Sequence, residues 1–323
     1  MTAKKTYTKK TRKNHGEIIT AKMLELMETE GTNWFKPWAA TATEGQHHNP
    51  MSGTVYSGIN VFITGMAAME NGFTSCEWGT FNQWFKRGGG VRCEDTGKVL
   101  EWGKFSLKGQ KATEIIYSAP AQFTKQNDAG EDELVSYWKV KSFFIFNADQ
   151  VQGYEPAAKK AKPNLVEQHA SVDALVAANN IKLSHGGDRA YYRPSTDEIQ
   201  MPNQKDFKAT KSQTATQSYY GTLLHEMAHW TGHESRLDRL KGGWFGDENY
   251  AAEELVAEIA SALLAANLGI EKEPTPNHAK YLNNWMRALK NDKKILMQAF
   301  SKAQKATDFI LDAVDAKPTA LAA

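Results

Sequence analysis

The segment Thr216–Trp230 narrows the possible folds more than any other, because it carries two patterns at one period. Tyr220, Leu223, Leu224 and Met227 recur at helical spacing and make an apolar stripe. His225 and His229 fall on roughly the opposite side, four residues apart, which makes them neighbours on a helix face. A helix of this kind has to be a wall between a core and a cleft. Two adjacent imidazoles facing a cleft are suited to hold one metal ion, with Glu226 beside them. The five-residue pattern alone is weak in a chain of 323 residues. The apolar stripe separates it from a surface helix with two idle histidines.

A metal centre that keeps an open position for water needs a third protein ligand. The next strong helical pattern, Asn249–Ala260, offers Glu253, Glu254 and Glu258. Glu254 and Glu258 stand four apart, which resembles the gluzincin group of metallopeptidases. There the ligand glutamate is followed four residues later by a carboxylate that orients a ligand histidine; Glu258 stands where the best-known members have Asp. The resemblance implies His225, His229 and Glu254 as ligands, Glu258 as orienting partner and Glu226 as general base. It implies Zn2+, or another divalent ion such as Mn2+, as cofactor. Glu253 is the rival ligand, because it lies closer to the stripe of Leu255, Val256 and Ile259. His233 follows His229 by four residues, but Gly232 is expected to end the helix in a left-handed cap and break that alignment.

A net charge of +2 argues against a uniformly basic coat, so any nucleic-acid contact has to be local. Lys4, Lys5, Lys9, Lys10, Arg12 and Lys13 form a basic arm with no apolar run behind it, unlike a secretory signal. No stretch is long and apolar enough for a membrane helix. The only cysteines, Cys76 and Cys93, suggest a reducing cytoplasm without a disulfide framework.

In chain order, Glu17–Met27 has helical periodicity, and so does the run from Ile59 to Met69. Trp78–Trp84 reads as the start of a short helix. Val91–Phe146 has β texture: Val91-Arg92, Val99–Trp102, Ile115–Tyr117, Tyr137–Val140 and Phe143–Phe146 alternate with turns. Gln126–Glu133 reads as an exposed hairpin loop. Two prolines and a charge run make 153–164 a linker. Beyond it come a helix at Leu165–Asn179, a strand at Ile181–Leu183, and a hairpin over Gly187–Pro202 that turns at Pro194–Asp197. Tyr191 and Tyr192 sit on that hairpin, either as core residues or reaching toward the cleft.

Several letter groups in 15–155 carry a second resemblance: Asn49-Pro50, Ser52-Gly53, Tyr56–Asn60, Trp78–Gln83 and Phe146–Val151. They resemble the N-terminal single-stranded-DNA-binding domain of the ArdC antirestriction family. The segment Cys93–Leu107 departs from that pattern, as an insertion between Val91-Arg92 and Lys108-Gly109-Gln110-Lys111. Tyr219-Tyr220, the metal motif with Trp230–His233, Ser235–Leu237, Glu253–Glu258 and Ala303–Asp308 resemble the zincin-like C-terminal domain of the same family. Single strands are held by positive grooves with aromatic faces for the bases. Arg87, Arg92, Lys104, Lys108 and Lys111, with Trp84 and Trp102, are the DNA-contact candidates. Core aromatics among solvated lysines are the plainer account of the same letters.

The expectation is an α+β protein of two domains. Residues 1–14 form the basic arm, 15–152 a mixed α/β domain binding single-stranded DNA, 153–164 the linker, 165–315 a mainly helical zincin-like domain with a small sheet, and 316–323 a tail. The family resemblance implies a cytoplasmic antirestriction protein of a mobile element. Its partners would be single-stranded DNA and a host protein as peptidase substrate, with no membrane. The alternative is a protector that shields DNA by occupancy around a structural or vestigial metal site.

Overall fold

The computed structural model describes residues 15–31, 34, 45–86, 90–91, 111–126, 132–152, 154, 165–209, 213–240, 248–270, 278–292 and 294–315. The arm, the tail and all of the expected linker except Gly153's neighbour Tyr154 lie outside them.

The chain opens with helix α1 (His15–Glu30) and helix α2 (Ile59–Asn71). Helix α2 ends at Gly72, whose φ of 68° is the left-handed conformation glycine adopts without strain. Strand β1 (Trp78–Thr80) leads directly into α3 (Phe81–Lys86). Trp78–Thr80 is therefore strand, against the helix expected there. Thr80 is the reason: its N–H donates to Gln83 Oε1 at 2.9 Å and its hydroxyl accepts from the Gln83 N–H at 3.4 Å. That reciprocal cap starts the helix at Phe81 and leaves Trp78–Thr80 to pair with Ile145–Asn147.

Strand β2 (Gly90–Val91) pairs with β5 (Val151–Gln152), and β3 (Thr113–Gln126) pairs antiparallel with β4 (Asp132–Asn147) along its whole length. The sheet order is β1-β4-β3. The expected separate strands at Tyr137–Val140 and Phe143–Phe146 are one continuous β4. Beyond the three residues that β1 covers, β3 and β4 form a two-stranded arm. Gln122, Thr124, Asp132 and Leu134, which the register puts on one face of it, are exposed, so that face carries no apolar alternation to mark a strand in sequence. Pro120 sits in β3, the outer strand, where a missing N–H is tolerated. The pairing stops at Gln126 opposite Asp132, within the expected loop. Val99–Trp102 lies outside the described residues.

Many of the letters that carry the resemblance in 15–155 tie backbone together. Asn60 bonds both the N–H and the carbonyl of Ile116, at 2.9 and 2.7 Å, which fixes α2 to the base of the hairpin. Asn49 Oδ1 accepts from Met51 and Ser52 N–H, and Asp149 accepts from Thr74 and Ser75 N–H. Asn147 and Gln150 form a capping box.

The second half contains α4 (Leu165–Ala178), β6 (Lys182–His185), β7 (Tyr191–Arg193), β8 (Glu198–Met201), α5 (Ala215–Trp230), α6 (Glu248–Leu268), α7 (His278–Asn291) and α8 (Lys294–Asp315). Strand β8 runs parallel to β6 and antiparallel to β7, leaving β7 at an edge. The expected hairpin is present, with residues 194–197 as its turn.

Helix α6 is apolar on nearly every side, which suits only a buried position. Leu255, Val256, Ile259, Ala260 and Leu263 are all buried. Around it pack Tyr281, Trp285 and Leu289 of α7 and Phe300, Ala303 and Ala306 of α8. Ile19, Met23 and Met27 of α1 and Phe62 and Met66 of α2 belong to the same cluster. The boundary at 153–164 thus divides the sequence into two regions whose cores merge. A second cluster lies between α5, the small sheet and the end of α6, and contains Tyr219, Tyr220, Leu223, Leu224, Met227, Trp230 and Ile199.

Candidate metal centre and nucleic-acid face

Helix α5 begins at a capping box. The Thr214 hydroxyl accepts from the Gln217 N–H at 3.1 Å, and Gln217 Oε1 accepts from the Thr214 N–H at 2.9 Å. From there the apolar stripe enters the second cluster, and Ala228 reaches the first. His225 and His229 face α6. Their Nε2 atoms are 3.1 Å apart. Glu254 lies against both: Oε2 is 3.6 Å from His225 Nε2 and Oε1 is 3.5 Å from His229 Nε2. One ligand atom from each of the three residues falls within 4.8 Å of the others. Two imidazoles and a carboxylate converging in this way fit a divalent ion of the zinc or manganese type.

The outer nitrogens also meet carboxylates. His225 Nδ1 lies 3.0 Å from Glu258 Oε1, with the N–H off the line of an ideal hydrogen bond, and His229 Nδ1 lies 3.5 Å from Glu253 Oε1. Glu253 therefore sits behind His229, while Glu254 stands on the ligand side of both imidazoles. His233 is turned away: its Nδ1 contacts the Ser235 hydroxyl at 2.8 Å and accepts from the Ser235 N–H at 3.2 Å. The expected left-handed cap at Gly232 is absent, because Thr231 stays in the right-handed helical region and Gly232 has no positive φ. Glycine is needed there for space. A Cβ would stand 3.0 Å from the His229 carbonyl and 3.0 Å from Leu240 Cγ.

The electrostatics follow from burial and pairing. Burial alone would lower the His225 pKa, but the Glu258 and Glu254 carboxylates outweigh it and push the imidazole up to about 9. His229 is raised well above its ordinary value, because Glu253 and Glu254 likewise overcome burial. Glu254 is held well below the carboxylate range by the two imidazoles, although burial opposes this. Glu226 is 7 % exposed, and burial raises its pKa. The Tyr192 backbone of edge strand β7 lies beside that carboxylate. The Tyr192 side chain is committed elsewhere: its hydroxyl donates to Asp197 at 2.8 Å and accepts from Arg236 at 3.2 Å. Tyr250, one turn before Glu254 on α6, was not singled out by sequence. Burial and the adjacent Glu254 carboxylate raise its phenol far above the usual range.

Of the DNA-contact candidates, Trp84 is corrected. It is fully buried and its indole N–H donates to the Phe146 carbonyl at 2.9 Å, so it has no face for a base. Phe146, Ala148 and Val151 pack with it in one buried apolar cluster. Lys111 is exposed, and its carbonyl accepts from Gln150. Arg87, Arg92, Trp102, Lys104 and Lys108 lie outside the described residues. Among the described residues, the aromatic groups open to solvent are on the hairpin. Tyr117 is 55 % exposed, Phe143 42 % and Phe144 58 %. Tyr117 and Phe143 meet edge to face at 6.3 Å, and exposed Lys141 pairs with Tyr117 across the strands. Phe143 and Phe144 were legible as strand but not as surface, because nothing in the letters shows which strand face lacks a partner.

Comparison with known proteins agrees with both halves. Residues 13–151 match the N-terminal domain of anti-restriction factor ArdC, and residues 170–302 match a zincin-like metallopeptidase domain. The metal-free structure of antirestriction protein ArdC from plasmid R388 is 31% identical, covers 94% of this chain and 98% of that one, and superposes with a TM-score of 0.70. The Mn(II)-bound structure of that protein is 29% identical, covers 95% of this chain and all of that one, and gives a TM-score of 0.69. An uncharacterised protein, y4eC of Sinorhizobium fredii, is 31% identical over 91% of this chain and 90% of its own length. A DNA primase TraC of Escherichia coli is 35% identical over 91% of this chain, and the chain spans 27% of that primase. These matches cover both regions and nearly the whole chain, and one of the structures that share the fold is Mn(II)-bound: the chain belongs to the ArdC family of antirestriction proteins.

Proposed function

We propose that this chain protects incoming DNA from host restriction by holding single-stranded DNA on its N-terminal region and hydrolysing a host protein at the metal centre. His225, His229 and Glu254 would hold the ion. A divalent ion, zinc or manganese, supplies a lowered water pKa and a polarised peptide carbonyl when bound.

The remaining work falls to the chain. An extended substrate adds to the free edge of β7, where main-chain hydrogen bonds align it past Glu226. Glu226 takes the proton of the attacking water and returns it to the leaving amine. A carboxyl raised by burial suits both steps, since a base nearer the working pH releases the proton it has accepted. Glu258 and Glu253 hold the two imidazoles from behind, which keeps their Nε2 atoms directed inward. Tyr117, Phe143 and Lys141 provide stacking faces and a cation for the DNA strand.

One observation carries the hydrolytic reading: a buried carboxylate, Glu226, beside three converging metal-type ligands and next to strand β7, which has no second strand partner among the described residues. Glu226→Gln tests it in a transfer assay into a restricting host. Protection should disappear while metal content and affinity for single-stranded DNA stay at wild-type levels. A variant that protects as well as wild type would instead support shielding by occupancy.

A further inference from the structure

His229 is placed less securely than His225, since α5 ends one residue later at Trp230. The last turn of a helix leaves carbonyls without intrahelical donors. Here they are taken by the loop that follows. Arg236 Nε donates to the Trp230 carbonyl at 2.7 Å. Arg239 reaches further in: one terminal nitrogen donates to the Ala228 carbonyl at 2.8 Å, and the other donates to the Thr231 hydroxyl at 2.8 Å. The same guanidinium grips Glu253 with two bonds, Nε to Oε2 at 3.2 Å and a terminal nitrogen to Oε1 at 2.9 Å. Its side chain is 5% exposed. Oε1 of Glu253 is the atom that faces His229 Nδ1.

We propose that Arg239 is a positioning residue for the metal centre: it fixes Glu253, and through Glu253 the ring of His229, against the end of helix α5. The inference rests on the metal-centre reading above. Only a planar fork can hold both carboxylate oxygens while its outer donors reach the helix end, so lysine would not replace it. The arrangement also accounts for Glu253 beside Glu254. Each imidazole has its own carboxylate behind it, Glu258 for His225 and Glu253 for His229, and the single ligand carboxylate Glu254 lies between them.

The test compares wild type with Arg239→Met, Arg239→Lys, Glu253→Gln and the double variant Glu253→Gln/Arg239→Met. Zinc affinity is measured by competition with a chromogenic chelator, and the visible spectrum of the Co2+-loaded protein reports ligand geometry. Arg239→Met and Glu253→Gln should each weaken zinc binding by about 10- to 100-fold and alter the Co2+ spectrum. The double variant should be no worse than either single one, because both break the same link. Arg239→Lys should recover only part of the loss. Variants that melt lower but keep wild-type zinc affinity and Co2+ spectrum would overturn the proposal and leave the metal centre intact. A wild type that takes up no divalent ion would overturn both.

Discussion

At His47 a histidine is 2% exposed and neither ring nitrogen has a hydrogen-bond partner among the described residues. Burial, with His48 adjacent, lowers its pKa to about 4. Above pH 6.5 the ring is neutral whether the chain is folded or not, so its contribution to stability is flat. As pH falls from 6.5 to about 4 the unfolded chain takes up a proton that the folded chain refuses. Stability therefore falls across that window, by up to about 3 kcal/mol from this group. Urea midpoints at pH 7 and pH 4 should drop further in wild type than in His47→Gln, and parallel drops would contradict the account of the buried ring. Sequence cannot single out such a residue, because a lone histidine beside Gln46 and His48 carries no periodic signal. His225, Glu226 and His229 were legible because spacing and flanking stripe agreed. The preference for Glu254 over its rival Glu253 rested on the second carboxylate one turn on, and Glu254 is the glutamate that meets both Nε2 atoms. What remained hidden was the side on which Glu253 stands, since Arg239, which holds it, is fourteen residues away.

The hairpin of β3 and β4 is the element whose extent the letters concealed. Its base is recognisable from Ile115, Ile116, Ile145 and Phe146, adjacent pairs that are buried on both faces. On one face of its outer part Gln122, Thr124, Asp132 and Leu134 are all exposed, so polar and apolar residues mix there without a rule. Base stacking on an aromatic ring is worth about 1–3 kcal/mol by alanine substitution, or roughly 5- to 150-fold in affinity. Tyr117→Ala should weaken binding of a fluorescent single-stranded oligonucleotide by that range and leave the melting temperature nearly unchanged, since the ring is more than half exposed. Unchanged affinity would remove the hairpin from the DNA path. The metal helix is the opposite case: stripe and motif were both visible in order, and the Thr214/Gln217 cap came only with the structure. Only its end was misjudged, where Gly232 answers to crowding by Leu240 and the His229 carbonyl instead of a left-handed turn.

Across the whole molecule, the two matched regions share one core. Phe62 of α2 lies 6.1 Å from Phe300 of α8, and the Gly58 N–H donates to Gln304 Oε1 at 2.6 Å. Helices that share buried aromatic contacts unfold together, so calorimetry should give one main transition, and Phe62→Ala should lower it as a unit, at a cost of about 3–5 kcal/mol. Two separated transitions, with only the first moved by the substitution, would mean that the regions are independent. Composition suggested a boundary at 153–164 but could not show the merger of the cores, because the contacts join residues more than two hundred positions apart. The same packing holds α6 against α5 and so sets the distances at His225, His229 and Glu254. That convergence is the central claim, and metal content tests it most directly. Purified wild type and His225→Ala are exposed to zinc or manganese, desalted and measured by elemental analysis. The account predicts about one ion per chain in wild type and a clear loss in the variant. No bound ion in either protein, or equal content in both, would contradict it.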